Sequence, residues 1–531
     1  MTLTSDRYRE GSNDGAGDGA RSDEGAGAPP APGAFLASSF QIDPEELPDL
    51  VRAGGAPGAL LLWRNDLRML GVGQAFRILL PAPWASPANA ARAGRALRGI
   101  WQAGGERGAR YGPARHPSDL RIPTGDAAHA GETSAGETSA GPFPVGPVAM
   151  GALPYDPSDS GYLVVPELLI ARKGAYAWAT LVSPAHEQAP RQADVMERVR
   201  RLRDATAQSG PPPDGFTLTA HMPHQQWMSL VERTLGEFTN GNMAKVVLAR
   251  RVDVVANRPF LLHDVLARLA SLYPSCSVFR VADFIGASPE ILVRRDGKQV
   301  LSHPLAGTAA RSGEQATDEA VVSGLMTSPK HRREHRLVVE AIAARLAPIC
   351  GALDVPAEPS VLALRNVSHL GTPIRGTLLG ATPDAGPRDE PVTASDSHGP
   401  TSRQAPSTGP DATGPDATAR EFQESTGAPS AFELAALLQP TPAVGGHPTE
   451  AAIAWQRDNE GFDRGWYAGP VGWVDARGDG EWVLGLRSAK VSGQNASLYA
   501  GNGIVAGSDP QAELAETQLK LQALLAALVR P

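Results

Sequence analysis

The chain has 531 residues, of which 42% are hydrophobic and 20% are charged, and its formal net charge is −8. This composition excludes a fibrous or wholly disordered protein, and it suffices for one large hydrophobic core or two to three ordinary ones. The acidic balance argues against a broad nucleic-acid-binding surface, because such surfaces are rich in Lys and Arg.

Three segments contain almost no large apolar side chains. Residues 1–34 are mostly Gly, Ala, Ser and Asp, residues 123–142 include the tandem GETSAGETSA, and residues 381–430 include TGPDATGPDA. Because such segments cannot offset the entropy that is lost on ordering, we expect a disordered tail and two disordered loops. The rest of residues 35–531 is interpreted as a single domain.

The first half of this domain contains strand-like and helix-like patterns. β-Branched and aromatic residues predict strands at 59–63, 162–171 and 176–182. Apolar side chains at helical spacing predict a helix over 226–241, and a strand follows at 245–255. Further strands are predicted at 277–281, 290–294 and 299–302, the last two joined by the hairpin signal Asp296-Gly297.

The second half continues the mixture. An amphipathic helix is predicted from about 334 to 347, strands at 467–474, 481–488 and 497–500, and a closing helix from about 509 to 529. Strands follow one another in hairpin-like succession with long helices between them. This order favours an α+β fold, in which large, mostly antiparallel β-sheets pack together and are covered by helices, over a parallel βαβ array.

Lysine is rare, since only six of the 49 Lys and Arg residues are Lys. A Lys retained under such a bias is a candidate for chemistry that Arg cannot perform, because Arg does not deprotonate near neutral pH. Lys173 and Lys298 lie on predicted turns and are interpreted as surface residues. Lys245 and Glu290, each at the start of a predicted strand, are candidates for a base and an acid.

Carboxylates on two predicted helices form a second candidate site. Glu513 and Glu516 lie three residues apart and share a helix face, and Glu334 begins another helix. Without a Cys or His pair beside them, these oxygen ligands suit a hard cation such as Mg²⁺. The alternative for each Glu is an ordinary exposed helix position. Arg487 and Lys520 flank the same C-terminal segment and suit anionic groups of a substrate.

His331, Glu334 and His335 form an H-x-x-E-H pattern. On a helix this spacing places two His and a carboxylate together, as in inverted zinc metalloproteases. A zinc protease is therefore one hypothesis, although it needs a third ligand. The alternative is a charged helix face with two solvated histidines.

The glycine-rich segment at 499–507 imitates a dinucleotide-binding loop between a strand and a helix. Its spacing is off by one, and the chain leaves no room for the acidic residue that such a site needs. Glycines here instead suit close approach of backbone N–H groups to an anionic ligand.

Ten sequence blocks, in order from about residue 227 to 531, resemble the chorismate-utilising enzymes, a family that is similar to anthranilate synthase component I, and within it the isochorismate synthases. Upstream, GALPYDP from Gly151 resembles the family's more variable N-terminal part. The blocks are KVVLAR from Lys245, FIGASPEIL from Phe284, HPLAGTAAR from His303, SPKHRREH from Ser328, SHLGTPIRG from Ser368, LQPTPAVGG from Leu438, FDRGWYAGPVGW from Phe462, LRSAK from Leu486, LYAGNGIVAGSDP from Leu498 and ELAETQLKL from Glu513.

The resemblance implies a chorismate-binding catalytic domain over 35–531 that converts chorismate to isochorismate with Mg²⁺. Lys245 matches the general base that activates a water for attack at C2, and Glu290 matches the general acid that protonates the departing 4-hydroxyl. Glu334 and Glu516 match the Mg²⁺ ligands, and Glu513 matches the holder of a metal-bound water. Six further positions match groups around the substrate: Arg487, Lys520, Gly503, Tyr467, Thr308 and His369.

Branches of the family differ in nucleophile. Anthranilate synthases use ammonia from a glutaminase partner and typically carry Gln where this chain has Lys245, so no glutaminase subunit is expected. Aminodeoxychorismate synthases differ at 332–335 and 442–448. Salicylate synthases share the base, acid and metal set and remain the alternative, although the segment 442–446 favours release of isochorismate. Gln439 resembles menaquinone-pathway members more than siderophore members, and Asn502 replaces a common small Ala.

Localisation and partners follow from simple features. The two cysteines, Cys276 and Cys350, leave no disulfide framework and indicate a reducing, cytoplasmic compartment. Apolar runs are too short for a membrane span, and the first residues do not resemble an export signal. We expect a monomer whose partner is chorismate, without nucleic acid or membrane.

Overall fold

The computed structural model describes residues 34–64, 66–107, 144, 146–205, 210–380 and 428–529. The predicted disordered tail at 1–34 and the predicted loops at 123–142 and 381–430 lie almost entirely outside these ranges. Those predictions, and that of a single domain over 35–531, therefore stay predictions.

Thirteen strands lie between residues 35 and 296. They are β1 Phe35–Gln41, β2 Leu60–Arg64, β3 Leu67–Val72, β4 Phe76–Leu80, β5 Val148–Ala152, β6 Gly161–Val165, β7 Leu168–Lys173, β8 Tyr176–Pro184, β9 Phe216–Ala220, β10 Lys245–Ala256, β11 Ser277–Val281, β12 Phe284–Ser288 and β13 Ile291–Asp296.

The remaining strands complete the sheets. They are β14 Gln299–His303, β15 Leu305–Ala310, β16 Cys350–Asp354, β17 Ser360–Ala363, β18 Val367–Gly371, β19 Ile374–Leu378, β20 Gly446–His447, β21 Pro470–Asp475, β22 Gly480–Leu484, β23 Ser488–Ser492 and β24 Asn495–Val505.

Ten α-helices and two short 3-10 helices, Pro44–Glu46 and Ala347–Ile349, are present in the described ranges. The helices are α1 Leu50–Ala53, α2 Pro87–Arg107, α3 Gln192–Ala205, α4 His224–Thr239, α5 Leu262–Leu272, α6 Gln315–Thr327, α7 Pro329–Leu346, α8 Ala431–Leu438, α9 Thr449–Asn459 and α10 Pro510–Val529. None of them has the length and hydrophobicity that a membrane span requires.

The strands form three antiparallel sheets, which confirms the predicted α+β class. The largest has twelve strands in the order β1-β8-β7-β3-β2-β11-β12-β23-β24-β10-β20, with β9 also paired to β10. A nine-stranded sheet runs β16-β19-β14-β13-β22-β21-β5-β6-β4, and a small third sheet runs β15-β18-β17.

Apolar side chains from the two large sheets form a shared core. Met69 and Phe279 of the twelve-stranded sheet belong to one buried cluster with Met150 and Trp473 of the nine-stranded sheet. Helices cover the outer faces: α5 and α10 pack on the twelve-stranded sheet, and α2, α7 and α8 pack on the other. The predicted layering of sheets covered by helices is confirmed.

In two segments that are predicted as single strands, the chain passes from one large sheet to the other. The predicted strand 162–171 is wrong as one element, because it divides into β6 and β7 at Pro166, which has no N–H to donate to a ladder. The predicted strand 481–488 likewise divides into β22 and β23. The chain also crosses at 289–290, between β12 and β13.

Two of these crossings lie side by side. Strand β12 pairs with β23 in one sheet, and β13 pairs with β22 in the other. The crossing backbones are hydrogen-bonded, since Leu484 N–H donates to the Glu290 carbonyl at 3.2 Å and Ala287 N–H donates to the Arg487 carbonyl at 3.2 Å. The two sheets are therefore joined by a pair of crossing strands that carries Glu290 and Arg487.

Three further predictions need correction. Helix α7 begins at Pro329 instead of 334, because Ser328 caps its N-terminus and Pro suits the first helical position. Lys173 is not a surface residue: it ends β7 with 3% exposure, and burial lowers the pKa of its ammonium. The segment 499–507 is not a loop, because β24 continues through Gly501 and Gly503 to Val505. Lys298 is exposed in its hairpin, as predicted.

Aromatic packing under α8 gives a prediction on stability. Phe432 is 1% exposed and packs between Trp84 and Trp482, with ring centroids at 6.2 and 5.7 Å. Replacing Phe432 by Ala is expected to lower the free energy of unfolding by about 3–5 kcal/mol, because it leaves a cavity between two indoles. Urea unfolding measures the loss. Leu379→Ala, at a side chain that is 51% exposed, is the control and should change it by less than about 0.5 kcal/mol.

Candidate active site

Eight of the eleven sequence-predicted site residues line one cavity between the twelve-stranded sheet, the crossing strands and helices α7 and α10. They are Glu290, Thr308, Glu334, His369, Tyr467, Arg487, Gly503 and Lys520. Of the other three, Lys245 pairs with Glu334 and Glu516 pairs with Lys520, whereas Glu513 pairs with Lys330, which does not line the cavity. The fold therefore brings together residues that are up to 275 positions apart, from 245 to 520.

Lys245 begins β10 and is fully buried. Its Nζ lies 3.2 Å from Oε1 of Glu334, which projects from the second turn of α7 and is 8% exposed. Within the described part of the chain, this Nζ makes no hydrogen bond of acceptable geometry. An ammonium or amine with unused hydrogen-bonding capacity, directly behind a residue that lines the cavity, is suited to bind a water or a substrate oxygen.

Gly503 explains how Glu334 and Lys245 come to lie together beside β24. It lies in β24 opposite Val247 of β10. A Cβ at this position would overlap Oε1 of Glu334 and approach Cε of Lys245 to 3.1 Å. The absent side chain thus makes room for both charged groups, which is a different role from a phosphate-binding loop.

Glu290 lies at the crossing between β12 and β13 and is 4% exposed. Burial raises the pKa of its carboxyl to about 8, although a hydrogen bond from the Leu305 backbone and the charges of Lys245 and Arg487 act in the opposite direction. Glu290 therefore carries a proton near neutral pH. A buried carboxylic acid that is protonated at this pH is suited to general acid catalysis.

Arg487, His369 and Thr308 form a hydrogen-bonded chain on another wall. Arg487 Nη2 donates to His369 Nε2 at 2.9 Å, and since a guanidinium only donates, His369 must accept with this nitrogen. Its Nδ1 then carries the proton and faces Thr308 Oγ1 at 3.2 Å and the Gly307 carbonyl at 3.3 Å. Burial, with the charge of Arg487, holds the pKa of His369 well below its usual value, so the imidazole is neutral.

The backbone at Arg487 is strained. Its φ is 48°, in the left-handed region that non-glycine residues rarely adopt, and Ala468, which also lines the cavity, has a φ of 63°. Strain of this kind persists only where the surrounding structure holds it in place. At Arg487 it accompanies the turn between β22 and β23 that places the guanidinium beside His369.

Two tyrosines form the aromatic wall. Tyr467 is 3% exposed, and its ring stacks on that of Tyr499 with centroids 5.2 Å apart and planes at 18°. Burial raises the pKa of the Tyr467 phenol, so it remains a neutral hydroxyl. Both rings present apolar faces to the cavity, which suits a ring-shaped substrate.

Sequence reasoning assigned no role to Tyr499 or Arg464, which also line the cavity. Arg464 is buried and pairs with Glu460, with Nε donating to Oε2 at 2.8 Å. It also donates to the carbonyls of Val247 and Val444 at 2.7 and 2.9 Å. Arg464 thus ties β10 to the segment before α9. Both residues lie inside the blocks from Phe462 and Leu498, so that membership was the available signal.

The two carboxylates of α10 are each paired with a lysine. Glu513 Oε1 accepts from Lys330 Nζ at 2.5 Å, and Glu516 Oε1 lies 2.8 Å from Lys520 Nζ. Burial and the neighbouring charge of Glu516 raise the pKa of Glu513. Burial acts in the same direction on Glu516, but Lys520 and hydrogen bonds from Thr308 and Asn502 outweigh it and lower that pKa to about 2. Glu516 is therefore ionised across the physiological range.

The donor types, as distinct from their present spacing, suit a hard divalent cation. Glu334, Glu513 and Glu516 provide only carboxylate oxygens, the ligands that Mg²⁺ prefers, and Gly503 leaves space beside Glu334 that a side chain would fill. As they stand, each carboxylate has a lysine as its cationic partner. In the described ranges, no three His, Cys, Asp or Glu side chains are grouped closely enough to hold a metal.

The H-x-x-E-H pattern does not form a zinc site in the described residues. His335 Nε2 hydrogen-bonds Thr372 Oγ1 at 2.7 Å, and burial with the nearby charge of Lys245 lowers the pKa of His335 to about 3. Glu334 instead faces Lys245. Without a group of three candidate ligands among these residues, the protease hypothesis has no structural support.

Comparisons with known proteins identify the family. A family model described as chorismate binding enzyme matches residues 134–384 and 424–529. The isochorismate synthase DhbC of Bacillus subtilis strain 168 is 32% identical over 391 residues, which cover 71% of this chain and 80% of that protein.

Solved structures show the same fold. The crystal structure of Bacillus anthracis DhbC is 27% identical, covers 90% of this chain and 98% of its own, and has a TM-score of 0.62. The menaquinone-specific isochorismate synthase MenF of Escherichia coli has a TM-score of 0.64 over 95% of this chain and 96% of its own. At 24% identity, that second likeness shows the fold alone.

The raised pKa of Glu290 predicts a pH-dependent stability. An unfolded Glu ionises near 4.5 and the folded Glu290 near 8, so the native state loses stability as pH rises between these values. Relative to Glu290→Gln, the wild-type free energy of unfolding should fall by at most about 1.4 kcal/mol per pH unit over this window. Urea unfolding at stepped pH measures it. Glu232→Gln, at an exposed position on α4, is the control, and equal pH profiles for Glu290→Gln and wild type would contradict the assignment.

Proposed function

We propose that this chain, which belongs to the family of chorismate-binding enzymes, is an isochorismate synthase. The observation that carries the proposal is a buried, protonated Glu290 in the same cavity as the Lys245–Glu334 pair. An acid and a candidate base at one enclosed site suit a reaction that adds one hydroxyl and removes another.

The proposed reaction moves a hydroxyl from C4 to C2 of chorismate. Lys245, as its amine, takes a proton from a water that attacks C2, while the ring double bonds shift and the C4–oxygen bond breaks. Glu290 gives its proton to the departing hydroxyl, which leaves as water. One water is consumed and one released, so the product is an isomer of the substrate. The proton gained by Lys245 must then return to Glu290 before the next turnover.

Cationic groups on two walls are proposed to bind the carboxylates of the substrate. Arg487 and Lys520 supply the charges, and the backbone near Gly503 approaches without a side chain in the way. Neutral His369 accepts from Arg487 and adds no competing charge. Tyr467 and Thr308 line the remaining surface.

The proposed cofactor is Mg²⁺, held by Glu334 and Glu516, with Glu513 contacting a metal-bound water. When bound, it would supply charge for one carboxylate of the substrate and help to orient the ring. The oxygen-only donor set supports this choice over zinc, which favours His and Cys.

The proposed setting follows the same residues. Lys245 replaces the Gln that is typical of ammonia-using relatives, which supports activity without a glutaminase subunit. Cys276 and Cys350 are free and buried, which supports the reducing cytoplasm. We propose that the chain acts as a monomer and that its product feeds menaquinone synthesis, as Gln439 suggests, or a siderophore or salicylate pathway.

A product assay tests the proposed reaction. Purified protein incubated with chorismate and Mg²⁺ should form isochorismate, detected by chromatography. Salicylate together with pyruvate would instead identify a salicylate synthase, which shares the base, acid and metal set. No conversion of chorismate, combined with zinc-dependent peptide cleavage, would revive the protease hypothesis.

Lys245→Arg tests the base. Because Arg retains the positive charge but does not release a proton near neutral pH, turnover should fall by at least about 10²-fold while chorismate still binds. Steady-state kinetics and a binding titration separate the two effects. Lys298→Arg, the same exchange at the exposed hairpin, is the matched control and should leave kcat unchanged. Near-normal turnover by Lys245→Arg would refute the assignment.

A further inference from the structure

The side chain of Asn502 enters the carboxylate cluster. It lies in β24 opposite Leu248 and is 2% exposed. Its Nδ2 donates to Oε2 of Glu513. Its Oδ1 accepts from Lys520 Nζ at 2.8 Å, and the same ammonium pairs with Glu516. Asn502 thus bonds Glu513 directly and Glu516 through Lys520.

The hydrogen bonds of Asn502 have one effect in common with a bound cation, since they reduce the repulsion between neighbouring carboxylates. Two buried carboxylates three residues apart on one helix repel each other, and an amide N–H group that donates to Glu513 offsets part of that repulsion. The second oxygen of Glu513 is occupied by Lys330 at 2.5 Å. Both oxygens of Glu513 are therefore engaged by donors before any metal arrives.

We propose that Asn502 is a positioning residue that clamps Glu513 and Glu516 in the metal-free enzyme and thereby weakens the affinity of this site for a divalent cation. The inference rests on the proposed cation site and goes beyond it by naming a residue of this chain that sets the affinity. A cation at this site must compete with the hydrogen bond from Asn502 to Glu513 and with Lys520, which Asn502 holds beside Glu516, because each occupies carboxylate lone pairs that the cation would use. The more stable the hydrogen-bonded, metal-free arrangement is, the lower is the affinity of the site for a cation, because binding must disrupt that arrangement.

Titration of the full-length protein with Mn²⁺, followed by electron paramagnetic resonance in the absence of chorismate, tests the clamp. Asn502→Ala should bind Mn²⁺ about fivefold to tenfold more tightly than wild type, the change expected for one to two lost competing hydrogen bonds. The metal-free variant should also melt at a lower temperature, and Mn²⁺ should raise its melting temperature more than that of wild type. A residue with a merely structural role would lower the melting temperature without tightening metal binding.

Three further variants make the outcome decisive. Glu516→Gln should abolish Mn²⁺ binding in both backgrounds, which shows that the titration reports this site. Asn495→Ala, an exposed Asn on the same strand, should leave affinity unchanged. Lys330→Met removes the other partner of Glu513 and should also tighten binding, so it tests the idea if Asn502→Ala fails to fold.

The results separate the clamp from the cation site. Mn²⁺ binding by wild type with equal or weaker binding by Asn502→Ala overturns the clamp and leaves the cation site standing. Absence of binding in wild type and in both tightened variants overturns the cation site, and the clamp with it. Binding that survives Glu516→Gln overturns the placement of both.

Discussion

The cavity depends on the rule that a buried charge requires an opposite partner. Lys245 of β10 faces Glu334 of α7, Lys330 of α7 faces Glu513 of α10, and Lys520 faces Glu516 within α10. Removing one partner of a buried pair leaves the other uncompensated, which is strongly unfavourable. The first two pairs therefore tie α7 to β10 and to α10, and the groups proposed for chemistry also hold the site together.

At Glu290 burial outweighs the nearby cations, and the contrast with Glu516 supports the proposed role of Glu290 as an acid. Its pKa is raised to about 8, whereas that of Glu516, paired with Lys520, is lowered to about 2. One environment thus keeps a carboxylic acid protonated while another keeps a carboxylate charged. Such separation is how a single site can contain both a proton donor and a cation ligand at the same pH.

Much of the fold and the proposed site could be predicted from the sequence, because strand and helix periodicity and the ordered blocks are local signals. The crossings between sheets could not, since an apolar run such as 162–171 looks the same whether it lies in one sheet or two. The burial of Lys173 was not predicted, because a position on a turn does not show whether other parts of the fold pack over that turn. Gly503 was predicted to lie beside an anionic ligand, but the space that it leaves for Glu334 could not be predicted. The contacts of Asn502 could not be predicted either, because both features depend on residues that are distant in sequence.

The paired crossing of β12–β13 and β22–β23 has a consequence for motion. Glu290 and Arg487 share this crossing and its hydrogen bonds, so a change in the angle between the two sheets carries both as one unit. The helices α7 and α10 carry the three carboxylates Glu334, Glu513 and Glu516, and packed helices of this kind can slide over a sheet face. Opening and closing of the cavity would thus alter the distance from the cation ligands to the substrate while the acid and its neighbouring guanidinium keep their mutual spacing. The scaffold thus separates a half that fixes the spacing of the proposed acid and Arg487 from a half that carries the proposed cation ligands and can adjust.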